Sequence, residues 1–199
     1  EAVLLKKLGY DLALLSMGGL GHLTEEALLQ RTREVAKVIP VIGFYLQPSV
    51  GGRIFTYHFW QELANIDNVY AIKMAPFNRY QTLDVVRAVC SSPRCNDIAL
   101  YTGNDDNIIV DLLTEYAFTI DGETVKKRIV GGLLGHWSVW AKTAVQYFED
   151  VKSIREQAQI EGAWLTKAIE VTDANAAFFD PAHAFKGSIA GINEVLTRQ

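Results

Sequence analysis

Lys73 is the residue of this sequence best suited to covalent chemistry. It lies in the middle of the apolar run Val69–Ala75, which has the length and composition of a buried parallel strand. Strand alternation places Lys73 on one face with Val69, Ala71 and Ala75, whose small side chains leave room for a long one. An amine that loses hydration becomes neutral more readily and can attack a carbonyl carbon to form an imine. The alternative is a structural lysine whose ammonium reaches solvent or pairs with a carboxylate.

Tyr45 is the second candidate, on the apolar run before it. Alternation places Val41, Gly43, Tyr45 and Gln47 on one face, and Gly43 clears space beneath the ring. A phenol in that position can pass protons to and from a substrate oxygen or a carbinolamine. The alternative is a core tyrosine with a satisfied hydroxyl group.

Short apolar runs recur along the chain and predict the elements that must position these residues. The runs begin near Tyr10, Val41, Val69, Ile98 and Ile129, with intervals of 31, 28, 29 and 31 residues. Such a period is typical of βα units. The segments between them have helical patterns at 24–38, 56–66, 80–90 and about 106–116.

Strands that alternate with helices predict an α/β fold with a parallel sheet. The glycine cluster Gly18–Gly21 lacks the spacing of a dinucleotide-binding turn, which favours a TIM (β/α)8 barrel over an open doubly wound sheet. A complete barrel needs eight units and about 250 residues. We therefore expect strands 4–8 to be present, with the first three units preceding Glu1 in a longer protein.

The rest of the chain departs from this rhythm. Asp121-Gly122 between two β-prone triplets predicts a hairpin over 118–125, which we expect to decorate the barrel mouth. After Val139 the sequence predicts helices at 139–161, 163–172 and 187–197. The predicted domains are therefore five barrel units over 1–138 and a C-terminal helical extension over 139–199.

Composition and charge exclude several function classes. The net charge is −4, the pI is near 5.6 and there is no long basic run. The sequence therefore shows no basic segment that would bind nucleic acid or an anionic membrane surface. No apolar stretch approaches the roughly 20 residues that span a bilayer, and no signal peptide is visible. We expect a cytoplasmic protein with a small-molecule partner. Cys90 and Cys95 are interpreted as free thiols rather than a loop disulfide.

Four segments together resemble a known family. They are Pro-Val-Ile-Gly-Phe-Tyr-Leu-Gln-Pro-Ser-Val-Gly-Gly at 40–52, Leu-Ala-Asn-Ile-Asp-Asn-Val-Tyr-Ala-Ile-Lys at 63–73, Leu-Tyr-Thr-Gly-Asn-Asp-Asp at 100–106, and 131–139. In this order they resemble the dihydrodipicolinate synthase and N-acetylneuraminate lyase family of Schiff-base aldolases. The interval of 28 residues from Tyr45 to Lys73 is the one that the family keeps between its catalytic tyrosine and its imine-forming lysine.

The resemblance implies a fold, an activity and a set of site residues. It implies a (β/α)8 barrel with C-terminal helices, in which Lys73 forms an imine with a 2-oxo acid and Tyr45 relays protons. Thr102, Gly103 and Asn104 would line the mouth of the site, although Asn104 or Asp105 could instead cap the following helix. The resemblance implies no cofactor and a homo-oligomer, either a dimer or a tetramer.

Departures from the family pattern narrow the range of expected substrates. Val50 stands where the synthase has a substrate-binding arginine, and Arg53 follows three residues later; the loop Met17–His22 lacks the synthase's tyrosine. We therefore expect a lyase acting on a sugar acid or another 2-oxo acid, with Arg53 and His136 as further substrate-binding candidates. The alternatives are a non-catalytic metabolite-binding barrel and a metal- or phosphate-dependent barrel enzyme. A metal-dependent enzyme needs a cluster of histidine and carboxylate ligands, and none is visible in the sequence of these five units.

Overall fold

Six strands and nine α-helices are present in the computed structural model, which describes residues 1–199. The first part contains α1 (Ala2–Lys7), β1 (Ala13–Leu15), α2 (Glu25–Ala36), β2 (Val41–Leu46), a 3-10 turn at Pro48–Val50, α3 (Tyr57–Ala64), β3 (Val69–Ala75), α4 (Arg79–Cys90) and β4 (Ala99–Thr102). It is followed by α5 (Ile108–Leu113), β5 (Glu115–Ile120), β6 (Glu123–Gly132), α6 (His136–Val139), α7 (Ala141–Ile154), α8 (Ala163–Phe179), a 3-10 turn at Pro181–His183 and α9 (Ser188–Arg198).

The chain divides into two compact units. The first unit comprises Glu1–Tyr101 and Tyr116–Lys127, and the second comprises Thr102–Glu115 and Arg128–Gln199. The predicted boundary at 138/139 falls inside the second unit, so the division into barrel and extension stays a prediction. None of the helices is both long and apolar enough to cross a bilayer.

The sheet of the first unit contains residues of all six strands in the order β1-β2-β3-β4-β6-β5. β1 pairs in parallel with β2, and β2 pairs in parallel with β3, as the βα period predicts. The pairing of β2 with β3 begins with Val41 opposite Val69 and continues with Ile42 opposite Ala71. Tyr70 is therefore an extra residue in β3, a bulge that shifts the register of every later pair by one.

Side-chain caps set the starts of three helices in the first unit. Thr24 accepts a hydrogen bond from Ala27 N at 3.2 Å, and Thr56 accepts one from Phe59 N at 3.2 Å. Asn78 accepts bonds from the backbone of the first turn of α4, at 3.0 and 3.3 Å. Each cap satisfies an N–H that the helix itself leaves unpaired, so the predicted starts of α2, α3 and α4 are confirmed to within a residue or two.

Helices α2, α3 and α4 cover one face of the sheet. On β2 this face carries Val41, Gly43 and Tyr45, all of them buried. Gly43 allows α3 to approach, because an added Cβ would lie 3.1 Å from Leu63 Cδ2. On β3 the fully buried Ile72 and Met74 share this helix-covered face, since they pair with Gly43 and Tyr45. The residues that alternate with them lie on the other face, called here the open face.

The hairpin is confirmed, but its second strand is longer than predicted. Asp121 and Gly122 both have positive φ, at 50° and 86°, which matches the two-residue turn of a β-hairpin. β6 runs without a break from Glu123 through Ile129 to Gly132. The strand expected to start near Ile129 is therefore the end of a hairpin strand. The helix expected at 106–116 is also shorter, because β5 begins at Glu115.

The second unit is mainly helical, as predicted for the C-terminal part. α8 packs against α5 and α9, and a small core forms around Val139, Phe178 and Phe179. α7 ends at Ile154, earlier than predicted, whereas α8 continues to Phe179. α6 begins at His136, so this residue lies on a short helix after the strand.

Candidate functional site

Lys73 lies on the open face of the sheet, halfway along β3. Its partner in the register is Phe44 on β2, and its Nζ lies 4.4 Å from the centre of the Phe44 ring. The side chain is half-buried. A cation over an aromatic ring gains about 0.5–1 kcal/mol at an exposed site and about 2 kcal/mol when desolvated. The strand and the ring together position an amine inside a largely apolar surface.

Small residues flank Lys73 on its own strand, as expected. Ala71 and Ala75 pair with Ile42 and Leu46 and share the open face with Lys73. Val69 does not, because it precedes the bulge and pairs with Val41 of the helix-covered face. The predicted face is thus confirmed from Ala71 onward and wrong at Val69.

Tyr45 does not share a face with Lys73 in this structure, and its role as the proton relay stays a prediction. Tyr45 pairs with Met74, is only 1% exposed, and its ring centre lies 4.8 Å from that of Trp60. Its hydroxyl accepts a hydrogen bond from Phe55 N at 3.5 Å. Burial raises the pKa of this phenol because it disfavours the charged form. Tyr45 is a core tyrosine.

The bulge at Tyr70 is the physical reason for this difference. The paired residues Val41 and Val69 are 28 positions apart, and the same interval further along the strands would place Tyr45 opposite Lys73. Beyond Tyr70 the interval is 29, so Phe44 takes that place. A shift of one residue moves a side chain to the opposite face of a sheet.

Sequence reasoning missed a second phenol, that of Tyr101. Tyr101 and Ala99 on β4 are half-buried and alternate with Leu100, which is fully buried. Since the fully buried positions of β2 and β3 line the helix-covered face, alternation places Tyr101 on the open face. β4 is the neighbour of β3 in the sheet. The family-like segment at 100–106 did not single out Tyr101, whereas the alternation of buried and half-buried positions along β4 does.

The loop after β2 places Arg53 against another loop. Arg53 Nη1 donates to the carbonyl oxygen of Leu23 at 2.7 Å, and the guanidinium lies 5.3 Å from the Phe55 ring centre. Gly52 makes the closest approach in this loop, because a Cβ there would lie 1.8 Å from the carbonyl oxygen of Leu46. The observed contacts of Arg53 join the loops after β1 and β2, and its contact with a substrate stays a prediction.

Thr102 and Asn104, in the second unit, belong to a buried polar network. Thr102 Oγ1 donates to Asp111 Oδ2 at 2.6 Å, and Asn104 Nδ2 donates to the same oxygen at 3.0 Å. Asn107 Nδ2 donates to Asp111 Oδ1 at 2.9 Å. The side chains of Thr102 and Asn104 are at most 1% exposed, so they hold the turn together from inside. A substrate-lining role for Thr102, Gly103 and Asn104 stays a prediction, and α5 begins after Asn107 instead of after Asn104 or Asp105.

His136 is also buried, at 3% exposed, within the second unit. Its backbone N–H donates to Asp105 Oδ1 at 3.2 Å, and its Nδ1 lies 2.5 Å from Asn175 Oδ1. Burial lowers the pKa of this imidazole, although the bond to Asn175 opposes the shift. The structure therefore holds His136 neutral near pH 7, and its contact with a substrate stays a prediction.

Cys90 and Cys95 are buried free thiols. Burial and the neighbouring Cys95 raise the pKa of Cys90 to about 12. No group of three or more histidine, cysteine, aspartate or glutamate side chains is placed to hold a metal ion.

Comparisons with known proteins find similarity in structure alone. No protein-family profile matches the chain, and no curated protein matches its sequence. A dihydrodipicolinate synthase from Bacteroides thetaiotaomicron is similar with a TM-score of 0.71 at 14% identity, covering 99% of this chain and 59% of that one. A variant of the Sulfolobus solfataricus 2-keto-3-deoxygluconate aldolase has a TM-score of 0.67 at 14% identity, covering 99% and 57%. YagE from Escherichia coli K12, a prophage protein of the dihydrodipicolinic acid synthase family crystallised with pyruvate, has a TM-score of 0.65 at 15% identity, covering 96% and 57%.

These structures confirm the predicted fold class. The chain spans somewhat more than half of the length of each of them. By its structure, this chain shares the fold of the dihydrodipicolinate synthase and 2-keto-3-deoxygluconate aldolase barrels over that part of their length.

Proposed function

We propose that the protein containing this chain is a Schiff-base-forming lyase or aldolase of the dihydrodipicolinate synthase family, acting on a 2-oxo acid. The observation that carries the proposal is the position of Lys73, a half-buried amine in the middle of a parallel strand on the open face of the sheet. In a closed barrel this face is the interior, where such folds bind substrates at the strand ends. One similar structure is a protein bound to pyruvate, which is a 2-oxo acid.

The proposed chemistry begins at Lys73 Nζ. The neutral amine attacks the 2-oxo carbon, and the carbonyl oxygen takes up a proton to give a carbinolamine. Loss of water leaves a protonated imine, whose nitrogen accepts the electron pair of an adjacent breaking carbon–carbon or carbon–hydrogen bond. The resulting enamine either takes up a proton or attacks a second carbonyl, and water then releases the product and the amine. No cofactor enters this sequence.

We propose that a group other than Tyr45 transfers the protons, because Tyr45 lies on the face of the sheet opposite to Lys73. Phe44 occupies the register position opposite Lys73 and has no exchangeable proton. We propose Tyr101 for this role, because it is the phenol that alternation places on the open face of the adjacent strand. The preference for a sugar acid or another 2-oxo acid and the assembly into a dimer or tetramer remain parts of the proposal.

Substitution of Lys73 tests the proposal in the full-length protein. Lys73→Arg keeps the positive charge but removes the nucleophile, so 2-oxo acid turnover should fall at least 10³-fold. Lys37→Arg is the matched control, because Lys37 is exposed and forms a surface ion pair with Glu34 at 2.7 Å. Turnover that survives in Lys73→Arg at the control level contradicts imine chemistry at this residue.

A non-catalytic, metabolite-binding barrel is the second candidate. The specific observation in its favour is the pairing of Phe44 with Lys73, which leaves that register position without a hydroxyl group. If this candidate is correct, 2-oxo acids bind to the full-length protein but are not turned over, and Tyr101→Phe changes neither property.

A further inference from the structure

Phe44 and Lys73 meet side by side on two neighbouring strands. They pair in the parallel register of β2 and β3, so their side chains stand next to each other on the open face. Lys73 Nζ lies 4.4 Å from the centre of the Phe44 ring, inside the distance of about 6 Å at which a ring attracts a cation. Strand pairing, and not a loop, therefore sets the geometry of this contact.

The surroundings of the contact are mainly apolar. The open face of β2, β3 and β4 carries the apolar neighbours Ile42, Leu46, Ala71, Ala75 and Ala99. Two phenols belong to the same strands, that of Tyr70 at the bulge of β3 and that of Tyr101 on β4. In such surroundings a charge is poorly hydrated, and the attraction between a cation and a ring is stronger than in water.

The ring face distinguishes between the charge states of the amine. Its negative quadrupole attracts the positive charge of an ammonium and has no comparable attraction for a neutral amine. Imine formation keeps Lys73 Nζ and joins it by a double bond to the former carbonyl carbon of the 2-oxo acid. The protonated imine therefore carries positive charge at the same nitrogen that faces Phe44.

We propose that the ring of Phe44 stabilises positive charge at Lys73 Nζ, first in the ammonium and then in the protonated imine. The second stage rests on the imine chemistry of the proposed function, whereas the first stage does not. The ring lowers the neutral fraction of the free amine but favours the charged intermediate, from which the carbon–carbon or carbon–hydrogen bond breaks. This gives a role to the side chain that the shifted register places opposite the lysine.

Replacement of Phe44 by mono-, di- and trifluorophenylalanine tests the first stage. Each fluorine weakens the negative ring face, while the size and apolar character of the side chain change little. The pKa of Lys73 is measured on the full-length protein without substrate, from the pH dependence of its acetylation by trace acetic anhydride, followed by peptide mapping. The pKa should fall stepwise along the series, by about 0.5–1 unit in total.

Three substitutions serve as controls for this series. Ile42→Leu changes the packing on the same face of β2 without touching a ring, and it should leave the pKa of Lys73 unchanged. Tyr70→Phe and Tyr101→Phe remove the two neighbouring phenols in turn. The stepwise fall along the fluorinated series should persist in both backgrounds, because it originates at Phe44.

Borohydride trapping with pyruvate tests the second stage, because borohydride reduces the protonated imine. Above the pKa of Lys73 the amine starts neutral, so the trapping rate should fall along the same series by about 3- to 10-fold. Below that pKa the starting ammonium loses the same stabilisation as the imine. The trapping rates of the variants should therefore converge at low pH.

Three results would overturn the inference. A pKa of Lys73 that is equal across the fluorinated series shows that the ring does not hold the ammonium. A fall of the same size in Ile42→Leu assigns the effect to packing, and equal trapping rates above the pKa remove the imine stage. A wild-type protein that forms no adduct with any 2-oxo acid contradicts the proposed function and the imine stage together, and the pKa series still decides the ammonium stage.

Discussion

At the scale of single residues, the contacts of each aromatic ring distinguish core groups from candidate site groups. Phe44 lies under the Lys73 ammonium on the open face, while the next residue, Tyr45, packs edge-to-face with Phe55 on the other side of the sheet. The Tyr45 hydroxyl lies in that aromatic core, where it is almost fully buried and accepts a hydrogen bond from Phe55 N. The phenol that we propose for proton transfer, Tyr101, lies on β4 instead.

Tyrosine-to-phenylalanine substitutions test this assignment. Tyr45→Phe removes only a weak hydrogen bond to Phe55 N, so the free energy of unfolding should fall by about 1 kcal/mol while turnover stays within twofold. Tyr101→Phe should reduce kcat by about 10²–10⁴-fold, the usual contribution of general acid–base catalysis. Steady-state kinetics on the two full-length variants measures the turnover, and denaturant titration measures the free energy of unfolding. A larger loss of turnover in Tyr45→Phe than in Tyr101→Phe would identify Tyr45 as the proton relay.

The Cys90 thiol should be chemically inert in the folded protein. With a pKa of about 12, only about 10⁻⁴ of it is thiolate at pH 8, and its side chain is buried. Iodoacetamide should therefore modify Cys90 in denaturant but not under native conditions, as mass spectrometry of the peptide containing residues 90–95 would show. Native labelling at the rate of an exposed cysteine contradicts the buried position.

His136 should make stability depend on pH below its unfolded pKa of 6.5. Because its folded pKa is lower, the unfolded chain takes up a proton there that the folded chain does not. The free energy of unfolding should fall as pH drops from 6.5 toward the folded pKa, by at most about 1.4 kcal/mol per pH unit, and His136 should contribute no slope above pH 6.5.

Denaturant titrations of wild type and His136→Gln, compared at each pH, isolate this contribution. The stability difference between the two proteins should shrink as pH falls below 6.5. A difference that is constant between pH 5 and 8 would mean that His136 titrates as it does in the unfolded chain.

At the scale of elements, helix starts and tight turns can be predicted from the sequence, whereas the register between strands cannot. The cap residues Thr24 and Thr56 and the Asp121-Gly122 turn act within a few residues, so the sequence alone is enough to predict them. The bulge at Tyr70 is a property of the pairing between β2 and β3, which are distant in sequence, so no local pattern records it. For this reason the strand containing Lys73 was predictable, whereas the residue facing it was not.

The loop after β2 offers a prediction at the same scale. Gly52→Ala would bring a Cβ to 1.8 Å from the backbone oxygen of Leu46, so the loop must move and the free energy of unfolding should fall by about 2 kcal/mol or more. Gly21→Ala is the matched control, since no atom lies within 4 Å of the added Cβ. Denaturant melts measure both variants, and equal stabilities would contradict this packing of the loop.

At the scale of the whole molecule, the chain carries the fold of aldolase barrels over somewhat more than half of their length. The repeat of βα units predicts this fold because each unit is local and the period is regular. The polar network of Asp111 and the pairing of His136 with Asn175 were not predictable, because they join residues that are distant in sequence and have ordinary local patterns. The proposed activity concerns the whole protein, because this chain spans only somewhat more than half of the length of each similar aldolase structure.

Reductive trapping of the full-length protein tests imine formation most directly. The protein is incubated with a panel of 2-oxo acids, including pyruvate and sugar-derived acids, then treated with borohydride and examined by intact mass and peptide mapping. We predict a mass increase equal to that of the acid less one oxygen atom, located on Lys73 and absent from Lys73→Arg but not from Lys37→Arg. A folded protein that gains no adduct with any acid, or that gains it elsewhere than Lys73, would contradict the account.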